Sequence, residues 1–211
     1  SNNGVNLLLN EQALSLQFCE LASKDARAVQ QTFANRDLRQ FRKMQMYIHA
    51  EQKQGSPLIN DKDLTAVFRM GTDFVNNYYE IRIPLIVTPL SAGTMDANSK
   101  AYNDTLWNPR NSLDIDLQTL VKLKQARNND VAASPAVIYR QLQKNGHMFS
   151  VMGNPNLAEI RGILMGVENT NAPGTVCGEV WVNELRLSSI DEHGGWAALG
   201  RIDLNLADLG T

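Results

Sequence analysis

Val180-Trp181-Val182-Asn183-Glu184-Leu185-Arg186-Leu187 is the stretch on which the fold turns. It is rich in β-branched, aromatic and aliphatic residues, and successive side chains of a strand point to opposite faces. Its apolar parity changes midway: Val180 and Val182 are even, Leu185 and Leu187 odd. Both pairs can face one core only if one residue is extra, so a β-bulge is expected near Asn183-Glu184.

Outward from this stretch the same period of two recurs. Leu14, Leu16 and Phe18 share one parity, as do Met44, Met46 and Ile48, then Leu64, Ala66, Phe68 and Met70, then Tyr79, Ile81, Ile83 and Leu85. Further strands are expected at about 148–152 and 160–167, which makes seven, enough for two packed sheets. Pro84 cannot donate to a ladder, so its strand is expected at an edge or to carry a bulge.

Three helical segments are expected between strands. Leu113, Leu117, Leu120 and Val121 recur at helical spacing behind Asp114 and Asp116, which predicts a helix from Asp114 to Arg127. Ser134-Pro135, Ile138, Leu142 and Gly146 follow the order of cap, first-turn proline, apolar stripe and terminating glycine. A shorter helix is expected over Asp25 to Phe33. Between Thr88 and Asn111 lies a long stretch rich in Ser, Asn, Gly and Pro, read as a functional or mobile loop.

The 211 residues suffice for one large sandwich, preferred here over two small domains; the sandwich is placed at 1–190 and a separate segment at 191–211. Twenty basic and 22 acidic residues are well mixed at a net charge of −2, so no basic field exists for nucleic acid or anionic lipid. No apolar run approaches the roughly 20 residues of a membrane helix, and the N-terminus lacks signal-peptide regions. Ser1-Asn2-Asn3-Gly4 reads as a cut made in a longer protein, and this piece as soluble. Two cysteines, Cys19 and Cys177, are too few for a disulfide framework or a zinc module and read first as buried thiols.

No catalytic constellation emerges: there is no nucleophile elbow, P-loop, dinucleotide fingerprint or His-Glu-x-x-His. The three histidines are not spaced as metal ligands. His49 falls on the polar parity of its strand and is expected to hydrogen-bond at the surface, while Glu51 and Asp191-Glu192 read as solvated acids. No catalytic, cofactor or metal residue is assigned, and the chain is expected not to be an enzyme. Among the aromatics, Trp181 and Tyr79 read as sheet residues packing on neighbours. Trp107, in Leu106-Trp107-Asn108-Pro109 at the end of the long loop, and Tyr47 are the candidate contacts for a ligand or partner.

From Trp196 to Leu206 every even position is Trp, Ala, Gly, Ile or Leu, while Arg201, Asp203 and Asn205 are odd. That run matches the roughly 9–11 residues of a tilted membrane β-strand, although periodicity alone favours an ordinary amphipathic strand.

Four stretches in order carry a resemblance. Arg39-Gln40-Phe41-Arg42-Lys43-Met44-Gln45-Met46-Tyr47-Ile48-His49-Ala50-Glu51 resembles an R-x-Y/F-x-x-x-x-M-x-x-H-A-E strand. Gly153-Asn154-Pro155-Asn156-Leu157, the Val180–Leu187 strand and Asp191-Glu192-His193-Gly194-Gly195-Trp196-Ala197-Ala198 follow it. Together, from about Asn10 to the end, they resemble the SprA/Sov family, giant outer-membrane translocon proteins of the type IX secretion system. The resemblance implies a role in protein secretion and gliding motility, as a non-catalytic domain inserted between barrel strands, with 191–211 returning the chain to the barrel wall. It implies a place at the outer membrane, on either side, and as partners other parts of the same barrel protein, secretion-system subunits or secreted cargo.

The Val180–Leu187 strand also resembles the closing strand of carbohydrate-binding, galactose-binding-like jelly rolls. The expected fold is therefore a mainly β, jelly-roll-like sandwich with a few short helices, and a cell-surface glycan-binding module is the alternative function. Such jelly rolls often hold a structural calcium, for which Glu11 and Glu184 are the candidate ligands, although the usual acidic cluster is missing. First and last strands are often neighbours in a jelly roll; if Cys19 and Cys177 are paired across them, an oxidising periplasm explains it.

Overall fold

The structure is a computed structural model that describes residues 14–190. Its strands are β1 (Leu14–Leu21), β2 (Ala26–Arg36), β3 (Phe41–Gln52), β4 (Leu64–Gly71), β5 (Tyr78–Pro84), β6 (Leu113–Asp116), β7 (Tyr139–Leu142), β8 (Met148–Met152), β9 (Ile160–Asn169) and β10 (Val176–Ile190). Helix α1 (Lys100–Leu106) precedes β6 and α2 (Gln118–Asn129) follows it. One sheet has the order β1-β10-β3-β6 and the other β2-β9-β4-β5-β8-β7, with antiparallel pairing throughout.

With the β7–β8 hairpin set aside as an addition beside β5, the remaining eight strands pass from one sheet to the other at every step except the β4–β5 hairpin. Each sheet then interleaves early and late strands, which is jelly-roll connectivity. The expected mainly β, jelly-roll-like sandwich is the fold observed. Its core lies between the sheets, where Met44, Met46 and Ile48 of β3 meet Phe68 and Met70 of β4, Ile81 and Ile83 of β5 and Met165 and Val167 of β9.

The parity break in β10 is a bulge. Asn183 pairs with Tyr47 but Arg186 pairs with Gln45, so two residues of β10 stand opposite Met46 alone. Val180, Val182, Leu185 and Leu187 are all buried as a result.

Pro84 is not on an edge strand, because β5 runs between β4 and β8. It ends β5 opposite Thr65, while β8 reaches only as far as Arg82. Leu85 N–H donates to Leu64 O at 2.9 Å, so the position where Pro84 lacks a donor faces the side where β8 has already stopped.

Three helical expectations need correction. Residues 26–36 form β2, an edge strand paired with β9 (Val29 opposite Met165), whose inward Val29, Gln31 and Phe33 are only half-buried. Pairing with β9 overrides the helical composition of this stretch. In the second segment, Leu113–Asp116 is claimed by β3 as β6, and the helix starts at Gln118, whose N–H donates to Asp116 Oδ1 at 2.8 Å. The third is no helix: Ser134 closes a turn by accepting the Ala136 and Val137 N–H groups, and Tyr139–Leu142 becomes β7. Gly146, at φ +86°, turns the β7–β8 hairpin.

Cys19 and Cys177 form a disulfide between β1 and β10, their Cα atoms 4.0 Å apart. They are not buried thiols, since Cys19 is exposed and Cys177 half-buried.

The Gly153–Leu157 stretch is a structural knot. Arg127, buried at the end of α2, donates to Gly153 O and to Asn154 Oδ1 (2.9 Å), and Lys124 Nζ donates to Pro155 O at 2.7 Å. Tyr79, reaching across from β5, donates to the same Pro155 carbonyl at 3.2 Å, and burial pushes its hydroxyl pKa up to about 12. Glu11 and the side chain of Glu184, the calcium candidates, lie outside the described residues, as does the 191–211 segment.

Candidate functional site

The alternation that puts Met46, Ile48 and Ala50 into the core puts Tyr47, His49 and Glu51 on the outer face of the four-stranded sheet. Register then sets Trp181 of β10 beside His49, Glu179 beside Glu51, and Ser15 and Gln17 of β1 beyond them. The long 88–111 segment is pinned at both ends along one edge of β3. Thr88 N–H donates to Ala50 O at 2.8 Å, and Leu113 pairs with Met46. Asn111 ties the segment down through both amide atoms to the backbone of Ile86, at 2.7 and 2.8 Å. Its middle, carrying α1 and Trp107, therefore folds back over the outer face.

His49 is fully buried beneath it, which corrects the expectation of a surface histidine. Parity was right about the face; the loop that covers that face carries no periodic signal. Nδ1 lies 2.8 Å from Leu106 O and 3.1 Å from Thr88 Oγ1, and Nε2 lies 3.1 Å from Glu51 Oε2. The ring packs at a tilt against Trp181, at a centroid distance of 4.5 Å, and meets Trp107 edge-on, at 6.1 Å. Tyr47 meets Trp107 edge-on, centroids 6.5 Å apart and planes at 73°, and remains 42 % exposed. The two candidate contact residues are thus neighbours, and His49 and Trp181 are the support that sequence reading did not foresee. Trp181 does pack on its neighbours, and Tyr79 lies in the core.

Beside this aromatic platform is a cleft of about 740 Å³, lined in part by Glu51, Thr88, Tyr102, Leu106 and Glu179. Burial acts to raise the Glu179 carboxyl pKa, but donors from Ser15, Trp181 and Gln17 outweigh it and hold it below the usual value. The site can offer ring faces and oriented acceptors to a polar ligand. Among the described residues no group of three metal-ligating side chains comes together.

On the other side of Tyr47, His147 is buried with Nε2 3.2 Å from Arg110 O and Nδ1 3.1 Å from the Asn145 amide nitrogen. Neutral imidazole fits both contacts, donating from Nε2 and accepting at Nδ1. Burial lowers its pKa from 6.5, against the raising effect of the Arg110 carbonyl. The unfolded chain then binds a proton that the folded one refuses, so stability is expected to fall as pH drops below about 6.5. Urea midpoints at about pH 7.5 and 5.5 check this; His147→Gln should flatten the difference, and an unchanged slope would count against it.

The fold and this face define a jelly-roll β-sandwich module with a loop-covered aromatic platform. The chain belongs to the SprA_N family, described as motility related/secretion protein, whose family model matches residues 3–211. No curated protein matches it. The family places the chain among motility- and secretion-related proteins of the cell envelope. No helix among the described residues is long and apolar enough to cross a membrane.

Proposed function

We propose that this chain is a non-catalytic interaction domain of an outer-membrane translocon for type IX protein secretion and gliding motility. It contacts the barrel of its own protein, a secretion subunit or passing cargo. The observation that carries this reading is the family match over nearly the whole chain. The rigid outer face, with Tyr47 and Trp107 held by His49 and Trp181, supplies a preorganised contact surface, since rings already locked by neighbours lose little freedom on binding. Photoreactive residues at Tyr47 and Trp107 in the full-length protein are expected to crosslink secretion subunits, cargo or the barrel in growing cells. Crosslinks to none of these at either position would defeat the reading.

A second reading, a cell-surface glycan-binding module, is favoured by one arrangement: the exposed Tyr47 ring, backed edge-on by Trp107, borders a groove lined by both apolar and polar side chains. Saccharides stack on such rings through their apolar faces.

A further inference from the structure

Tyr47 forms part of the wall of a groove of about 950 Å³ at the start of β6. Three cations line that groove: Lys62 from the turn before β4, Arg110 from the 109–111 turn, and Lys144 from the β7–β8 hairpin loop. All three are exposed, and none forms an ion pair among the described residues. The one carboxylate lining the groove, Asp114, already faces Lys43 Nζ at 3.8 Å and accepts from Gln45 at 3.1 Å. In a chain whose charges are otherwise well mixed, three unpaired cations converging from three separate loops on one groove beside an exposed ring call for an anionic occupant.

We propose that the groove binds an anionic saccharide, one bearing carboxylate or phosphate groups. Lys62, Arg110 and Lys144 take the anionic groups and Tyr47 takes a sugar face. This rests on the glycan reading above and narrows it to a charge class. An extended acidic peptide fits less well, because it would seek backbone hydrogen bonds from a sheet edge and β6 is only four residues long. Nucleic acid fits less well too, since the charge is confined to one groove on a chain of net charge −2.

The test is calorimetric titration of the 211-residue chain with oligogalacturonate, with a neutral malto-oligosaccharide of the same length, and with polyglutamate. Oligogalacturonate is expected to bind, and more weakly as salt is raised. The combined Lys62→Gln, Arg110→Gln and Lys144→Gln variant should bind about tenfold more weakly, the sum expected of three exposed charge contacts. Tyr47→Ala should weaken binding as well, with urea unfolding confirming that each variant is folded. Equal binding of the neutral sugar, or indifference to loss of the cations, would overturn the anionic assignment while leaving the glycan reading standing. Polyglutamate binding as tightly as the saccharide would overturn the saccharide assignment, and no binding of either sugar would end both readings.

Discussion

Gly153→Ala is expected to cost more than about 3 kcal/mol of stability, a loss in the range reserved for backbone clashes and strained conformations. Gly153 has φ +64°, and a Cβ there would lie 1.8 Å from Asn76 O and 2.5 Å from Asn77 Oδ1. Neither obstacle can retreat cheaply. Asp73 Oδ1 accepts the N–H groups of Val75 (2.8 Å), Asn76 and Asn77 (3.1 Å), which fixes the loop against which the new methyl would press. Asn77 Oδ1 itself accepts Asn154 N–H at 2.9 Å, and Gly153 is held from its own side by Pro135 O at 2.9 Å and by Arg127. Gly146 provides the internal control: its φ is +86°, but nothing lies within 4 Å of a Cβ built there. Gly146→Ala should therefore cost only the left-handed penalty, about 1–2 kcal/mol. Urea unfolding followed by tryptophan fluorescence measures both, and equal losses in the two variants would show that the Gly153 surroundings yield.

Removing the Cys19–Cys177 bridge is the other large effect. It closes a loop with a sequence separation of 158, for which the chain-entropy model gives a ceiling of about 5 kcal/mol. Opening so long a loop frees the unfolded chain, and a loss of about 3 kcal/mol or more is expected. The paired Cys19→Ser and Cys177→Ser variant, compared with oxidised wild type by urea midpoint, checks this. A midpoint unchanged within error, or two thiols titrating in the oxidised protein, would refute it.

Where alternate residues of a strand enter the core between the sheets, the sequence was readable. The parities of β1, β3, β4 and β5 located the sheets, and the switch between Val182 and Leu185 located the bulge to within two residues. Legibility failed where burial is partial or nonlocal. Edge strand β2 places Gln31 among its inward positions, so its alternation is blurred. In β6, only four residues long, Leu113 shares helical spacing with Leu117 and Leu120 beyond it, and pairing with β3 decides its state. At the site, Tyr47 and Trp107 could be singled out as aromatics near a loop. That His49 lies beneath them depends on a segment tied down at Thr88 and Asn111, contacts between residues about 25–40 positions apart, which no local pattern encodes.

The interleaved strand order also sets a timetable. β10 is the central partner of both β1 and β3, so the four-stranded sheet cannot close until nearly all of residues 14–190 have been made. As the chain emerges from its N-terminal end, β4 and β5 can pair early as a hairpin, whereas β1 must wait with its edge uncovered for a partner more than 150 residues away. Contacts of such long separation are slow to form and leave sticky intermediates. Folding of this domain is therefore a late, concerted event, and until Cys177 arrives to meet Cys19 the unfinished sheet depends on whatever shields unpaired strands in its compartment.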